Sequence, residues 1–147
     1  MATQPAGDEA KIHERIDKLV AAIRAMDLEA LKPIYASDVV TFDVAGPLQR
    51  VGAEAKRGNW VEAFAMFQRP LDYEIRDLAI TASGDVAFAH GFARLSGMLK
   101  NGTSGGGFWV RFTACLRKID GTWLIAHDHA SVPLDVESGR TLLNLEP

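Results

Sequence analysis

The chain has 147 residues, 48% of them hydrophobic, a formal net charge of −3 and a single cysteine, Cys115. That is the length of one domain with a sizeable core, and the mild, interspersed acidity excludes nucleic acid or an anionic membrane as the expected main partner. With no apolar run of membrane-spanning length, no basic and apolar leader at the N-terminus and no possible internal disulfide, the expectation is a cytoplasmic protein.

Residues 1–8 read as a disordered lead ending at Asp8, a candidate helix cap. Ile12, Ile16, Leu19, Val20 and Ile23 then recur at steps of three and four, which predicts an amphipathic helix to about Ala25. Asp27 offers a second cap, and Leu28, Leu31, Ile34 and Tyr35 supply the stripe of a shorter helix that Pro33 kinks or displaces. A short strand over Val39–Asp43 stops at Gly46-Pro47, and a third helix is expected over Gly52–Gln68 with Trp60, Phe64 and Phe67 on one face.

After Pro70 the pattern changes from helical period to alternation. Leu71, Tyr73 and Ile75 share one face, but Leu78 and Ile80 continue it one residue out of register, which predicts a β-bulge at Asp77 and a curved sheet. Ser83-Gly84 and Asn101-Gly102 punctuate the strands that follow. The glycines between Gly102 and Gly107 lack the lysine and the strand-to-helix context of a phosphate loop. Asp120-Gly121 predicts a tight hairpin between Phe108–Ile119 and Thr122–Ser131. One domain is expected over residues 9–135, with 136–147 as a tail that packs through its leucines or lies on a partner.

Three helices followed by strands joined through tight turns give an α+β domain, with the helices on one face of a strongly curved, mostly antiparallel sheet and a pocket on its concave side. Strand alternation places Trp123, Ile125, His127, His129 and Ser131 on one face, running from core-like to polar as a pocket wall does. The two histidines, about 7 Å apart on an extended strand, suit proton transfer near neutral pH. Two metal ligands would need a third, His90 or Asp43, and no metal is expected. Tyr35, Phe42, Trp60, Phe64 and Trp109 are candidate pocket lining, with His90 as a hydrogen-bonded sheet histidine beside them. Arg111 shares a face with Trp109, Thr113 and Cys115. In a pocket it would need a carboxylate such as Asp43 or a ligand oxygen, because an unpaired buried charge costs several kcal/mol. Cys115 reads as an inert small hydrophobe.

The run Asp27-Leu-Glu-Ala-Leu-Lys-Pro-Ile-Tyr-Ala-Ser-Asp, with Thr41-Phe-Asp-Val-Ala-Gly and Arg-Lys-Ile-Asp-Gly-Thr-Trp-Leu-Ile-Ala-His-Asp-His, resembles the cone-shaped superfamily of nuclear transport factor two and ketosteroid isomerase, and within it the SnoaL-like branch. The resemblance covers about residues 9–135. It implies a cystatin-like α+β barrel and a homodimer, but not one activity, since members include isomerases, polyketide cyclases, epoxide hydrolases, dehydratases and proteins that only bind or assemble. It puts Asp43 where the isomerases keep the carboxylate that moves the substrate proton. Their oxyanion hole of a tyrosine and a protonated aspartate has no counterpart, because Leu19 and the neighbourhood of Arg111 stand in those places, and steroid isomerisation is not predicted.

Three functional readings follow. In the first, a small apolar carbonyl or hydroxyl compound is turned over without a cofactor, with Asp43 or a histidine moving the proton and Arg111 with the other histidine steadying the oxyanion. In the second, the pocket holds a small apolar or carboxylated metabolite on Arg111 without turnover. In the third, an outer face exposing Phe112, Leu116 and Leu124 makes a homodimer, and an Asp43 to Arg111 pair fills a vestigial pocket.

Overall fold

Apolar residues at helical spacing build the first layer. In the computed structural model, which describes residues 3–147, helix α1 runs Thr3–Ala25 and buries Ile12, Ile16, Ala22 and Ile23. The chain is thus helical from Thr3, where a disordered lead was expected, and residues 1 and 2 of that lead lie outside the described residues. Asp8 does not cap the helix. Its carboxylate lies 3.1 Å from Lys118 Nζ and 3.4 Å from Trp123 Nε1, fastening α1 to the last long hairpin, and the Lys118 hydrogen bond lowers its pKa. Asp27 does cap α2 (Leu28–Leu31), accepting from the Ala30 N–H at 3.1 Å. Pro33 ends the α-helical geometry: Lys32–Ile34 tighten into a 3-10 turn, and Tyr35, expected on a helix, opens strand β1 (Tyr35–Phe42).

A two-residue strand β2 (Arg50–Val51) and helix α3 (Ala53–Ala65) follow. The main sheet is completed by β3 (Asp72–Ser83), β4 (Val86–Met98), β5 (Ser104–Ile119) and β6 (Thr122–Ser131). The tail adds a small hairpin of β7 (Leu134–Asp135) and β8 (Arg140–Thr141). Strand order is β2-β1-β6-β5-β4-β3, antiparallel except where β1 runs parallel to β6. The Asp120-Gly121 turn forms as expected, both residues taking positive φ of 50° and 80°. Among the described residues no helix is long and apolar enough to cross a membrane.

Two irregularities decide which side chains face inward. The bulge at Asp77 is present, with φ 56° and a register shift between Arg76 and Ala79. A second one was not anticipated: Cys115 pairs with His127 and Leu116 with Ile125, so Ala126 is the extra residue of β6. Trp123 and Ile125 are buried in the core at 2% exposure, and beyond the bulge Asp128 and Ala130, not His127 and His129, continue the inward face. Phe112 and Leu116 also turn inward, contrary to the expected outer face; Leu116 is fully buried at 1% exposure.

Candidate functional site

The curved sheet and the two long helices enclose a cavity of about 400 Å³. Most of its wall is apolar, including Leu19, Phe67, Ile75, Phe108, Val110 and Phe112. One end is polar, and α3 supplies much of it because Lys56, Asn59, Trp60 and Ala63 fall at i, i+3, i+4 and i+7 and so share a helix face. β1 contributes Tyr35 and, just past its end, Asp43; β3 contributes Tyr73; β6 contributes Asp128.

Lys56 is the centre of this end. It is only 3% exposed, and its ammonium lies 2.8 Å from Asp43 Oδ1 and 3.5 Å from Asp128 Oδ2. The faces of Trp60 and Tyr35, 5.4 and 5.8 Å away, give the cation further support. Asp43 is the better-held carboxylate: its Oδ2 also accepts from the hydroxyl of the fully buried Thr41 at 3.1 Å, and Arg50 Nε lies 3.7 Å from that same oxygen. Asp128 has only the longer Lys56 contact. Burial raises its pKa, Lys56 opposes that rise, and the charge on Asp43 reinforces it. Asp128 is therefore the carboxylate readier to hold and exchange a proton. Burial also pushes the hydroxyls of Tyr35 and Tyr73 well above the usual phenol range. Tyr35 accepts from Trp60 Nε1 at 3.1 Å, which leaves its own O–H free to donate into the cavity.

The expected site divides accordingly. Asp43, Tyr35 and Trp60 line the cavity, whereas Phe64 lies behind Trp60, its ring 5.5 Å away, in the core. The other expected residues sit on the outer face of the sheet: the Ala126 bulge reverses the parity of β6, while on β5 the alternation that turns Phe112 and Leu116 inward leaves Trp109 and Arg111 outside. Arg111 donates to Ser131 Oγ at 3.1 Å and has no contact with Asp43. His127 Nδ1 donates to the Val40 carbonyl at 2.6 Å, and Phe42 meets the His127 and His129 rings edge-on. His90 stacks on Phe88, and Trp109 lies under the guanidiniums of Arg76 and Arg94. Among the described residues no group of three or more His, Cys, Asp or Glu is placed to hold a metal ion.

Lys56, Tyr73 and Asp128 escaped the sequence reading. Lys56 carried a usable signal, since it precedes Trp60 by four residues and so sits on the helix face expected to be apolar. Asp128 carried none, its parity being set by a bulge that no residue type announces.

The model of the SnoaL-like domain matches residues 12–135. No curated protein matches the sequence. Among solved structures, an NTF2-like protein of unknown function from Pseudomonas putida KT2440 is 30% identical, with 97% of this chain and 98% of that one covered and a TM-score of 0.87. A ketosteroid isomerase-like protein from Erwinia carotovora atroseptica SCRI1043 is 22% identical over 83% of this chain and 93% of its own, with a TM-score of 0.69. A protein of unknown function with a cystatin-like fold from Nostoc punctiforme PCC 73102 is 18% identical over 87% and 92%, with a TM-score of 0.71.

Proposed function

The chain belongs to the SnoaL-like domain family, and from that premise we propose that it binds a small, mostly apolar carbonyl or hydroxyl compound in the cavity and moves a proton on it. The observation that carries this reading is Asp128, a carboxylate with a raised pKa, 3.5 Å from a buried lysine at the polar end of an otherwise apolar chamber. In its ionised form Asp128 takes a proton from the carbon next to a carbonyl: the C–H bond breaks, the O–H bond forms, and the electron pair moves onto the carbonyl oxygen. The hydroxyls of Tyr35 and Tyr73 donate to that oxygen, and Asp128 returns the proton at the same or a neighbouring carbon. This assigns to Asp128 the role that resemblance gave to Asp43, whose oxygens are already engaged by Lys56 and Thr41.

The test is exchange of α-protons for deuterium in 2-tetralone and related bicyclic ketones, followed by NMR in heavy water. The protein should accelerate exchange, and Asp128→Asn should lower that acceleration about 10²- to 10⁴-fold, the range of general acid–base catalysis. Exchange no faster with the protein than with Asp128→Asn would sink the catalytic reading.

A homodimer through the outer sheet face is part of the same proposal. Val86 and Phe88 are 59% and 47% exposed there, with Phe92 further along the same strand and Phe42 on the same face three strands away, an apolar surface that a second copy would cover.

A further inference from the structure

The polar end of the cavity contains a cation, yet that cation is already satisfied. The Lys56 ammonium has Asp43 at 2.8 Å, Asp128 at 3.5 Å and two aromatic faces within 6 Å. Arg50, the next cation, lies behind Asp43: its Nε is 3.7 Å from Asp43 Oδ2, its other nitrogens reach Glu62 Oε2 at 3.1 Å and the Ala55 carbonyl at 3.4 Å, and it does not line the cavity. The Asp43 carboxylate and the Lys56 ammonium, 2.8 Å apart, already balance one another. A ligand carboxylate would add a buried negative charge beside Asp43 and Asp128, and the one cation among the described lining residues, Lys56, is already engaged. An uncharged hydroxyl or carbonyl would instead find the Tyr35 and Tyr73 hydroxyls, the Asn59 amide and the Asp128 carboxyl, all of which line the cavity.

We infer that Asp43 is a specificity-determining counter-ion: by occupying Lys56 it makes the cavity a site for uncharged, ring-shaped compounds bearing a hydroxyl or carbonyl, and it excludes carboxylates. The inference rests on the small-molecule reading of the cavity and adds the charge class of its ligand. Size fits: at interior packing density of about 0.75, a 400 Å³ chamber accepts up to roughly 300 Å³ of ligand, enough for two or three fused rings.

The geometry also says how selectivity is reversed. In Asp43→Asn the Lys56 charge loses its closest partner, and a ligand carboxylate can take the place of the missing one while Asp128 holds the proton. Carboxylate binding to that variant therefore takes up a proton and tightens as pH falls.

The experiment is isothermal titration calorimetry of the full chain with three probes of one shape: 2-naphthol, 2-naphthoate and 2-naphthylmethylammonium. The native protein should bind 2-naphthol, with 2-naphthoate and the ammonium each at least about tenfold weaker. Asp43→Asn should gain about tenfold or more for 2-naphthoate, with little change for 2-naphthol. Comparable or tighter binding of 2-naphthoate or of the ammonium by the native protein overturns the inference while leaving a ligand-binding cavity in place. So does a folded Asp43→Asn protein with unchanged preference. Ala45→Trp, at the exposed mouth, should block whichever probe binds. If none of the three binds, or if binding survives that block, the small-molecule reading itself falls and the inference with it.

Discussion

At the scale of single residues the molecule is governed by two carboxylates sharing one buried ammonium. Lys56 sits closer to Asp43 than to Asp128, and a hydroxyl hydrogen bond adds to the difference, so in the proposed reading Asp43 holds the ammonium and Asp128 moves the proton. The division has a consequence for stability. Because the folded-state pKa of Asp128 is raised, the unfolded chain ionises first as pH rises. Below about pH 4, the ordinary carboxylate value, Asp128 is protonated in both states and contributes no pH dependence. Above that, stability falls as pH climbs through the window between the unfolded and the raised folded pKa. Asp128→Asn removes the ionisation and therefore the fall. Melting curves from pH 3 to 8 should show the variant matching the native protein at the acid end and melting higher near neutrality, with the gap opening as pH rises. A constant gap, or one that opens toward acid, would contradict the burial argument.

At the scale of elements, bulges and close approaches shape the chamber. β3 bends at Asp77, and β4 meets that bend with Gly91, where a Cβ would lie 2.9 Å from the Arg76 carbonyl oxygen and 3.2 Å from the Phe112 ring. Its backbone is ordinary; what only glycine allows is the space. Gly91→Ala should therefore cost about 1–3 kcal/mol, as overpacking does, and displace Phe112 into the cavity, measurable by urea unfolding together with weakened probe binding. The same elements show what the sequence reveals and what it hides. The Asp77 bulge was legible because the apolar residues on either side, Ile75 and Leu78, are large enough to mark the slip. The Ala126 bulge was not, because past it the two candidate inward sets are His127 with His129 and Asp128 with Ala130, neither of them apolar enough to declare a face. One residue of slip exchanged a pair of histidines for an aspartate and carried Ser131 outside with them, while Arg111 is outside because β5 turns Phe112 and Leu116 inward. Helices and hairpins rested on local chemistry and were readable; Asp43 came from the resemblance and lines the cavity, and Lys56 and Asp128 meet only through the fold.

At the scale of the whole molecule, the curl of one sheet creates two surfaces of different character. The concave side is closed by helices around its chamber. The convex side carries the residues once expected inside: His90, His127, His129, Arg111 and Ser131, set among Phe42, Phe88 and Phe92. A row of aromatic rings interleaved with histidines and arginines on an open sheet face is half-solvated in a lone chain, and the rings gain most by being covered. Phe88 is the position to probe, since it is 47% exposed, stacks only on His90, and contributes to neither the cavity nor the Lys56 cluster. Light scattering after size-exclusion chromatography should find the native protein at twice the chain mass and Phe88→Glu at the chain mass, with an unchanged circular dichroism spectrum. The cavity faces the other side of the sheet, so the variant should keep its preference for 2-naphthol over 2-naphthoate. A native monomer would end the dimer proposal and leave this face to a different partner. A Phe88→Glu monomer that lost ligand binding would show instead that the two sides of the sheet are mechanically joined, the second copy holding the curvature on which the chamber depends.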